Sequence, residues 1–166
     1  GNMGSGIAQK TAQEEFDVQM VDREAQWVER GQKIIADFLS EAVERRIFSQ
    51  QQVEDIQGRI TGVVGTENTA PDTDLVIEAV FEDFDVKTAV FNALNKACGE
   101  KTILASNTSS LSVNDLAAAS GRPDRFVGLH FFYHPAKNRL VEVIPGNDSS
   151  PETIARTVQY CRGLGK

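Results

Sequence analysis

The residues of this 166-residue chain best suited to moving a proton are His130 and Glu142, which lie in two apolar, strand-like runs within LHFFYHPAKNRLVEVI, residues 129 to 144. An imidazole titrates near neutral pH, and a carboxylate twelve positions later can meet it if the two runs pack as neighbouring strands. The acid would then orient the ring, giving a candidate general base. The same two residues also describe a core histidine satisfied by a buried acid, and for an isolated pair that is the commoner arrangement. The rest of the chain must decide between the two.

The chain opens on GNMGSGIAQKTAQEE, in which Gly1, Gly4 and Gly6 suggest a tight backbone turn running into a helix N-terminus. Peptide N–H groups and the helix dipole at such a place face an anion, and side chains there would hold a pyrophosphate away. A loop or a close helix-packing contact uses the same glycines. Next, DVQMVD alternates as a short strand and ends in Asp22, 21 residues after Gly1. A carboxylate at that strand end accepts hydrogen bonds from an adenosine ribose and repels a 2′-phosphate. A helix N-cap is its plainer role, and Arg23 beside it could meet a phosphate.

Apolar residues from Trp27 to Val43 follow helical spacing, and Ser49 with Gln52 forms a capping box for a second helix through Val53 and Ile56. The two helices make a hairpin over about 24 to 58, with Arg45 and Arg46 at its tip. Strands are expected at 59–64, 74–80, 103–106, 126–132 and 140–144, with helices over about 83–98 and 113–119 and a last one from Ser150. Glu78 and Glu82 flank the exit of the 74–80 strand, and the polar loop SNTSSLS follows the 103–106 strand. Ligands bind at such carboxyl strand ends. Ser109 lies in that loop, where its plain role is to cap the turn before the next helix. His134 is expected as an exposed turn residue and not a metal ligand, since an extended Pro-containing turn does not set it on one face with His130.

A chain of this length with 40% apolar and 25% charged residues describes one ordinary globular domain. No run approaches the roughly eighteen apolar residues of a membrane span, and a net charge of −7 argues against general nucleic-acid binding. Cys98 and Cys161 form no CxxC or metal-like pattern, as expected of packing residues in a reducing, cytoplasmic setting. The abrupt beginning at GNMGSG and the end at GLGK suggest further chain on both sides.

Taken together, GNMGSGIA, MVD, LVIEAVFEDFDVK, ASNTSSLSV and GLHFF followed by LVEVI resemble the NAD-binding domain of the L-3-hydroxyacyl-CoA dehydrogenases, 3-hydroxybutyryl-CoA dehydrogenases included. The resemblance spans residues 1–166 and implies an α/β, Rossmann-like, doubly wound and mostly parallel sheet, with the helical hairpin inserted after the second strand. The family motif GxGxMGxGIA makes Gly1 its second glycine and Gly4 its third, so the resemblance implies that the first strand, and a helical C-terminal domain through which the family dimerises, lie outside this chain.

By the same resemblance the cofactor is NAD, bound by Gly1, Asn2, Met3 and Gly4, with Asp22 on the ribose and Glu82 and Lys87 near the nicotinamide side. His130 takes the place of the base, Glu142 of its orienting acid and Ser109 of a substrate-contacting serine, while Arg45 falls where a basic residue meets coenzyme A phosphates. The implied reaction oxidises a 3-hydroxyacyl-CoA to the 3-oxoacyl-CoA, or the reverse, without a metal, in a cytoplasmic homodimer of fatty-acid or butanoate metabolism. One departure is local: the family reads HFFNP, and here Tyr133 and His134 precede Pro135. The alternatives are a non-catalytic, crystallin-like relative on the same scaffold and an inactive fragment.

Overall fold

The computed structural model describes residues 1–166. In chain order it contains α1 (Asn2–Gln13), β1 (Val18–Asp22), α2 (Ala25–Glu44), α3 (Gln50–Gly58), β2 (Ile60–Val64), β3 (Leu75–Glu78), α4 (Phe84–Ala97), β4 (Ile103–Ser106), α5 (Val113–Ser120), β5 (Phe126–Phe131), β6 (Val141–Pro145) and α6 (Pro151–Gly163). This is the alternation expected from the hydrophobic periods, with each strand end within two residues of the expected place. The hairpin of α2 and α3 is the crossover between β1 and β2, which pair in parallel. Its capping box forms as read: Ser49 Oγ accepts from the Gln52 amide at 3.2 Å, and Gln52 Oε1 accepts from the Ser49 amide at 2.8 Å.

The strands form two hydrogen-bonded units, β1–β2 and β3–β4–β5–β6, where the sequence suggested one sheet. No backbone ladder joins the two units. β3, β4 and β5 run parallel, and β6 turns back antiparallel on β5.

Alternate residues of β4 and β5 feed two cores on opposite faces of the larger sheet, as period-two patterning requires. Ile103, Ala105, Val127, Leu129 and Phe131 pack with Ile7 of α1 and Cys161 of α6 on one side. Leu104 and Phe126 pack with Phe91 and Leu94 of α4 and Leu116 of α5 on the other. A third core joins Ala8 and Ala12 of α1 to Ile35, Leu39, Val53 and Ile56 of the hairpin. α1 therefore serves two cores from two sides. Both cysteines are buried and unpaired, as read, and no helix is long and apolar enough to cross a membrane.

Two glycines matter to this packing. Gly121 ends α5 in the left-handed region at φ 75°, which a side chain would resist. Gly6 is a contact glycine: α1 begins at Asn2, so Gly6 sits inside the helix, and a Cβ there would lie 2.9 Å from Pro135 Cδ and 3.3 Å from His134 Cε1. Its role is to let the loop after β5 rest on α1. Gly6→Ala should cost about 1–3 kcal/mol by overpacking against a rigid proline ring. Urea unfolding measures this, and an unchanged midpoint would show that the loop is free to move away.

Candidate active site

The polar residues singled out in the sequence gather along one edge of the fold. Asp22 is the last residue of β1, Glu78 of β3 and Ser106 of β4, and His130 lies one residue before the end of β5. Open α/β sheets bind ligands at this carboxyl edge.

His130 and Glu142 face each other directly in the β5–β6 ladder. Residues opposite one another on an antiparallel pair project to the same face, and here His130 Nδ1 lies 2.8 Å from Glu142 Oε2. The imidazole is largely covered, at 19% exposure, whereas the Glu142 side chain is 50% exposed. The expectation of a buried acid is thus corrected: β6 is an edge strand, and its outer residues meet solvent. Nε2 of His130 has no protein partner, so the ring is held at one nitrogen and open at the other.

The loop after β4 is tied to this pair. Asn107 Oδ1 accepts from the Phe131 amide at 2.8 Å, and the Asn107 amide donates to the Glu78 carbonyl at 2.8 Å. Ser109 is therefore carried beside the strand that bears His130. Its side chain is exposed, and its hydroxyl takes part in no protein hydrogen bond, whereas those of Thr108 and Ser110 both donate to Glu82. Asn107 was legible only as part of SNTSSL; its reach to β5 is a tertiary fact that no spacing announces.

Glu82 and Lys87, read as cofactor residues, are joined by an ion pair. Lys87 is 1% exposed, with Nζ 2.7 Å from Glu78 Oε1 and 3.2 Å from Glu82 Oε2. Glu78 is closed inside, also accepting from the Val80 amide and the Ser106 hydroxyl, each at 2.7 Å. Glu78 was noticed as a strand-end acid without a role, because the lysine it holds lies nine residues away on a different element. For Glu82, partial burial pushes the carboxyl up. Hydrogen bonds from the Thr108 hydroxyl and the Ser109 amide, together with Lys87, outweigh this and hold it down to about 2.

The first turn of α1 carries no acidic residue, and its cap Gly1 offers no side chain, so the leading amides remain free for an anion. A Cβ on Gly1 would meet nothing within 4 Å, and one on Gly4 only Ala79 Cβ at 3.9 Å, so the space these glycines leave is open. Asn2 and Met3 lie in the same turn. Asp22 is not a helix cap, since Glu24 occupies that place before α2, and its carboxylate accepts only from the Arg23 amide at 2.8 Å. Arg23 pairs with Glu24 at 3.2 Å. This combination fits a dinucleotide.

Arg45 ends α2 and pairs with Glu41 at the exposed hairpin tip, with no bond to the residues above. His134 is not the exposed turn residue expected from the sequence. Its ring lies 4.4 Å from Phe38 of α2, with Nδ1 accepting from the Ala136 amide at 3.2 Å. Burial, with some help from Lys137, lowers its pKa from the ordinary 6.5. Tyr133 beside it remains 71% exposed.

The model of the 3-hydroxyacyl-CoA dehydrogenase NAD-binding domain matches residues 1–166. The chain belongs to this family. As a 3-hydroxyacyl-CoA dehydrogenase NAD-binding domain it is 38% identical over 166 residues to the "Probable 3-hydroxybutyryl-CoA dehydrogenase" of Bacillus subtilis, covering 100% of this chain and 58% of that protein. It is 39% identical over 168 residues to the fatty acid oxidation complex subunit alpha of Shewanella frigidimarina, of which it covers 23%. Among solved structures, the (S)-3-hydroxybutyryl-CoA dehydrogenase of Ralstonia eutropha superposes with a TM-score of 0.96 at 36% identity, over 100% of this chain and 58% of that one. The chain thus spans little more than half the length of the dehydrogenases it matches. NAD is the cofactor of the family's domain.

Two measurements test the site's electrostatics. Removing Lys87 leaves Glu78 enclosed without its cation, so Lys87→Met should destabilise the fold by about 3–5 kcal/mol in chemical denaturation; a loss below about 1 kcal/mol would mean the pair is not closed to water. The depressed Glu82 pKa implies stability that is fully present above the ordinary 4.5 and lost as pH falls toward about 2. The stability gap between wild type and Glu82→Gln should therefore shrink over that interval. A gap that stays constant from pH 5 to pH 2 would contradict the assignment.

Proposed function

We propose that this domain serves the NAD-dependent oxidation of an L-3-hydroxyacyl-CoA to the 3-oxoacyl-CoA, or its reversal. The observation that carries the reading is the His130–Glu142 pair, with one imidazole nitrogen held at 2.8 Å and the other open. The relatives' names supply the substrate class, acyl-CoA thioesters with a 3-hydroxyl.

Glu142 accepts a hydrogen bond from Nδ1–H, which fixes the tautomer and leaves the Nε2 lone pair to take the proton of the substrate's 3-hydroxyl. As the imidazolium forms, the same carboxylate faces the positive charge it is placed to stabilise. Half-exposed, it does so without the desolvation cost of a buried acid. The free Ser109 hydroxyl donates to the substrate oxygen and aligns it with the ring. NAD, when bound, would supply the acceptor for the hydride that leaves C3 of the substrate. The open end of α1 would hold its pyrophosphate, with Gly1 and Gly4 leaving room, and Asp22 would hold its adenosine ribose. Arg45 offers a cation for coenzyme A phosphates at the hairpin tip.

The setting is the cytoplasm, a reading supported by two unpaired buried cysteines, and the assembly is a homodimer formed outside this domain. A crystallin-like, non-catalytic role would have no use for an imidazole held at one nitrogen and open at the other.

In the full-length protein, His130→Gln should lower turnover of 3-hydroxybutyryl-CoA by about a hundred- to ten-thousandfold, as expected for loss of a general base, while NADH binding by fluorescence stays within a factor of a few. Near-normal turnover in that variant would sink the dehydrogenase reading.

A further inference from the structure

Residues 132–140 connect β5 to β6, the two strands that carry His130 and Glu142. This connection is held from three sides. On α1, Gly6 leaves the space against which Pro135 and His134 lie. On α2, the Phe38 ring meets the His134 ring at 4.4 Å between centroids and Lys137 Nζ at 5.0 Å. After α6, Lys166 Nζ donates to the Pro135 and Asn138 carbonyls. Within the connection His134 gathers the turn: its Nδ1 accepts from the Ala136 amide at 3.2 Å, and its carbonyl accepts from the Lys137 and Asn138 amides at 2.9 and 2.8 Å.

Phe38 is also where this connection reaches the hairpin. Arg45, the C-cap of α2, follows it by seven positions, close to two helical turns, and so stands on nearly the same face roughly 10 Å further along. The face of the hairpin that rests on the β5–β6 connection is thus the face that bears Arg45.

We infer that His134 is a positioning residue for the reaction proposed above: wedged between Gly6 and Phe38, it clamps the β5–β6 connection to the hairpin and so sets the distance between the His130–Glu142 pair and Arg45. An acyl-CoA has its 3-hydroxyl at one end and its phosphates at the other. Both ends engage at once only if their binding groups stand at a fixed separation.

The clamp works with a neutral ring. Since Nδ1 accepts, the one ring proton sits on Nε2. A second proton would turn Nδ1 into a donor facing the Ala136 amide and set a positive charge beside Lys137. The neighbouring elements offer no free carboxylate in return. On α2, Asp37 is paired with Lys33 and Glu41 with Arg45; on α1, Lys10 is paired with Glu14. Tyr133 presents a ring at 5.4 Å, and Lys166 adds another cation. Burial, with Lys137, lowers the pKa of His134 accordingly.

The test compares two thioesters of one acyl group in the full-length protein with saturating NAD: 3-hydroxybutyryl-CoA and the N-acetylcysteamine thioester, which lacks the phosphates. His134→Ala should raise KM for the CoA substrate about three- to tenfold, the range of a lost aromatic pair. Its kcat should stay within about twofold, as should kcat/KM for the short thioester. Phe38→Leu should act alike, and the double variant should go no more than about twofold beyond the weaker single one, since both remove one contact. Equal losses on both thioesters, an unchanged KM for the CoA substrate, or multiplied losses in the double variant overturn the inference. The ratio of the His134→Ala KM to the wild-type KM should also fall toward one as pH drops below the ordinary 6.5 and through the lowered pKa of His134. A ratio that stays constant down to about pH 5 overturns the clamp as well.

Imidazole NMR titration supplies a readout without turnover, since the chain has 2 histidines. In Phe38→Leu the pKa of His134 should move up toward 6.5 as its cover is lost. An unmoved His134 overturns the inference on its own. Failure of the dehydrogenase reading looks different: the wild type itself would turn over neither thioester, and the titration would still decide whether Phe38 holds His134.

Discussion

The site depends on the register of one antiparallel strand pair. β5 arrives parallel to its neighbour β4, and β6 folds back along it, so that His130 falls opposite Glu142. A slip of one residue would send one side chain to the other face of the sheet and separate the pair. Register is protected by the apolar alternation on the core side, where Val127, Leu129 and Phe131 are buried against Ile7 and Cys161. The packing that stabilises the sheet is thus also what brings ring and carboxylate within hydrogen-bonding distance.

Around this pair the fold separates tasks by element. Helix α1 offers a side-chain-free N-terminus with no acid in its first turn, β1 ends in a carboxylate, and the loop after β4 carries an unengaged hydroxyl. The buried charges of Glu78 and Lys87 satisfy each other and three other groups, which makes a charged interior tolerable where an unpaired lysine would not be. The same carboxyl edge of the sheet collects all of these because every parallel strand ends there.

Much of this was legible in the residues. The twelve-residue separation of His130 and Glu142 allowed facing strands, the Ser49–Gln52 box marked the start of α3, and apolar runs located every strand. What stayed hidden were choices among partners. Gly6 looks like a phosphate-turn glycine in sequence and proves to be the contact point for Pro135, because a missing side chain has the same signature in either role. His134, four residues from His130 in a Pro-containing turn, looked exposed; only the position of Phe38, nearly a hundred residues earlier in the chain, covers it. Glu82 and Lys87 were visible as charged residues near a strand end, but which of them faces inward is decided by Glu78 and Ser106 on two different strands.

The contact at Gly6 has a metrical consequence. The helix whose first amides are open to an anion touches, five residues on, the loop that leaves the strand of His130. At about 1.5 Å of rise per residue, those points stand roughly 7.5 Å apart along a stiff rod. The open helix end and the strand of His130 are thereby gauged from one ruler, and the absence of a side chain at Gly6 sets its zero.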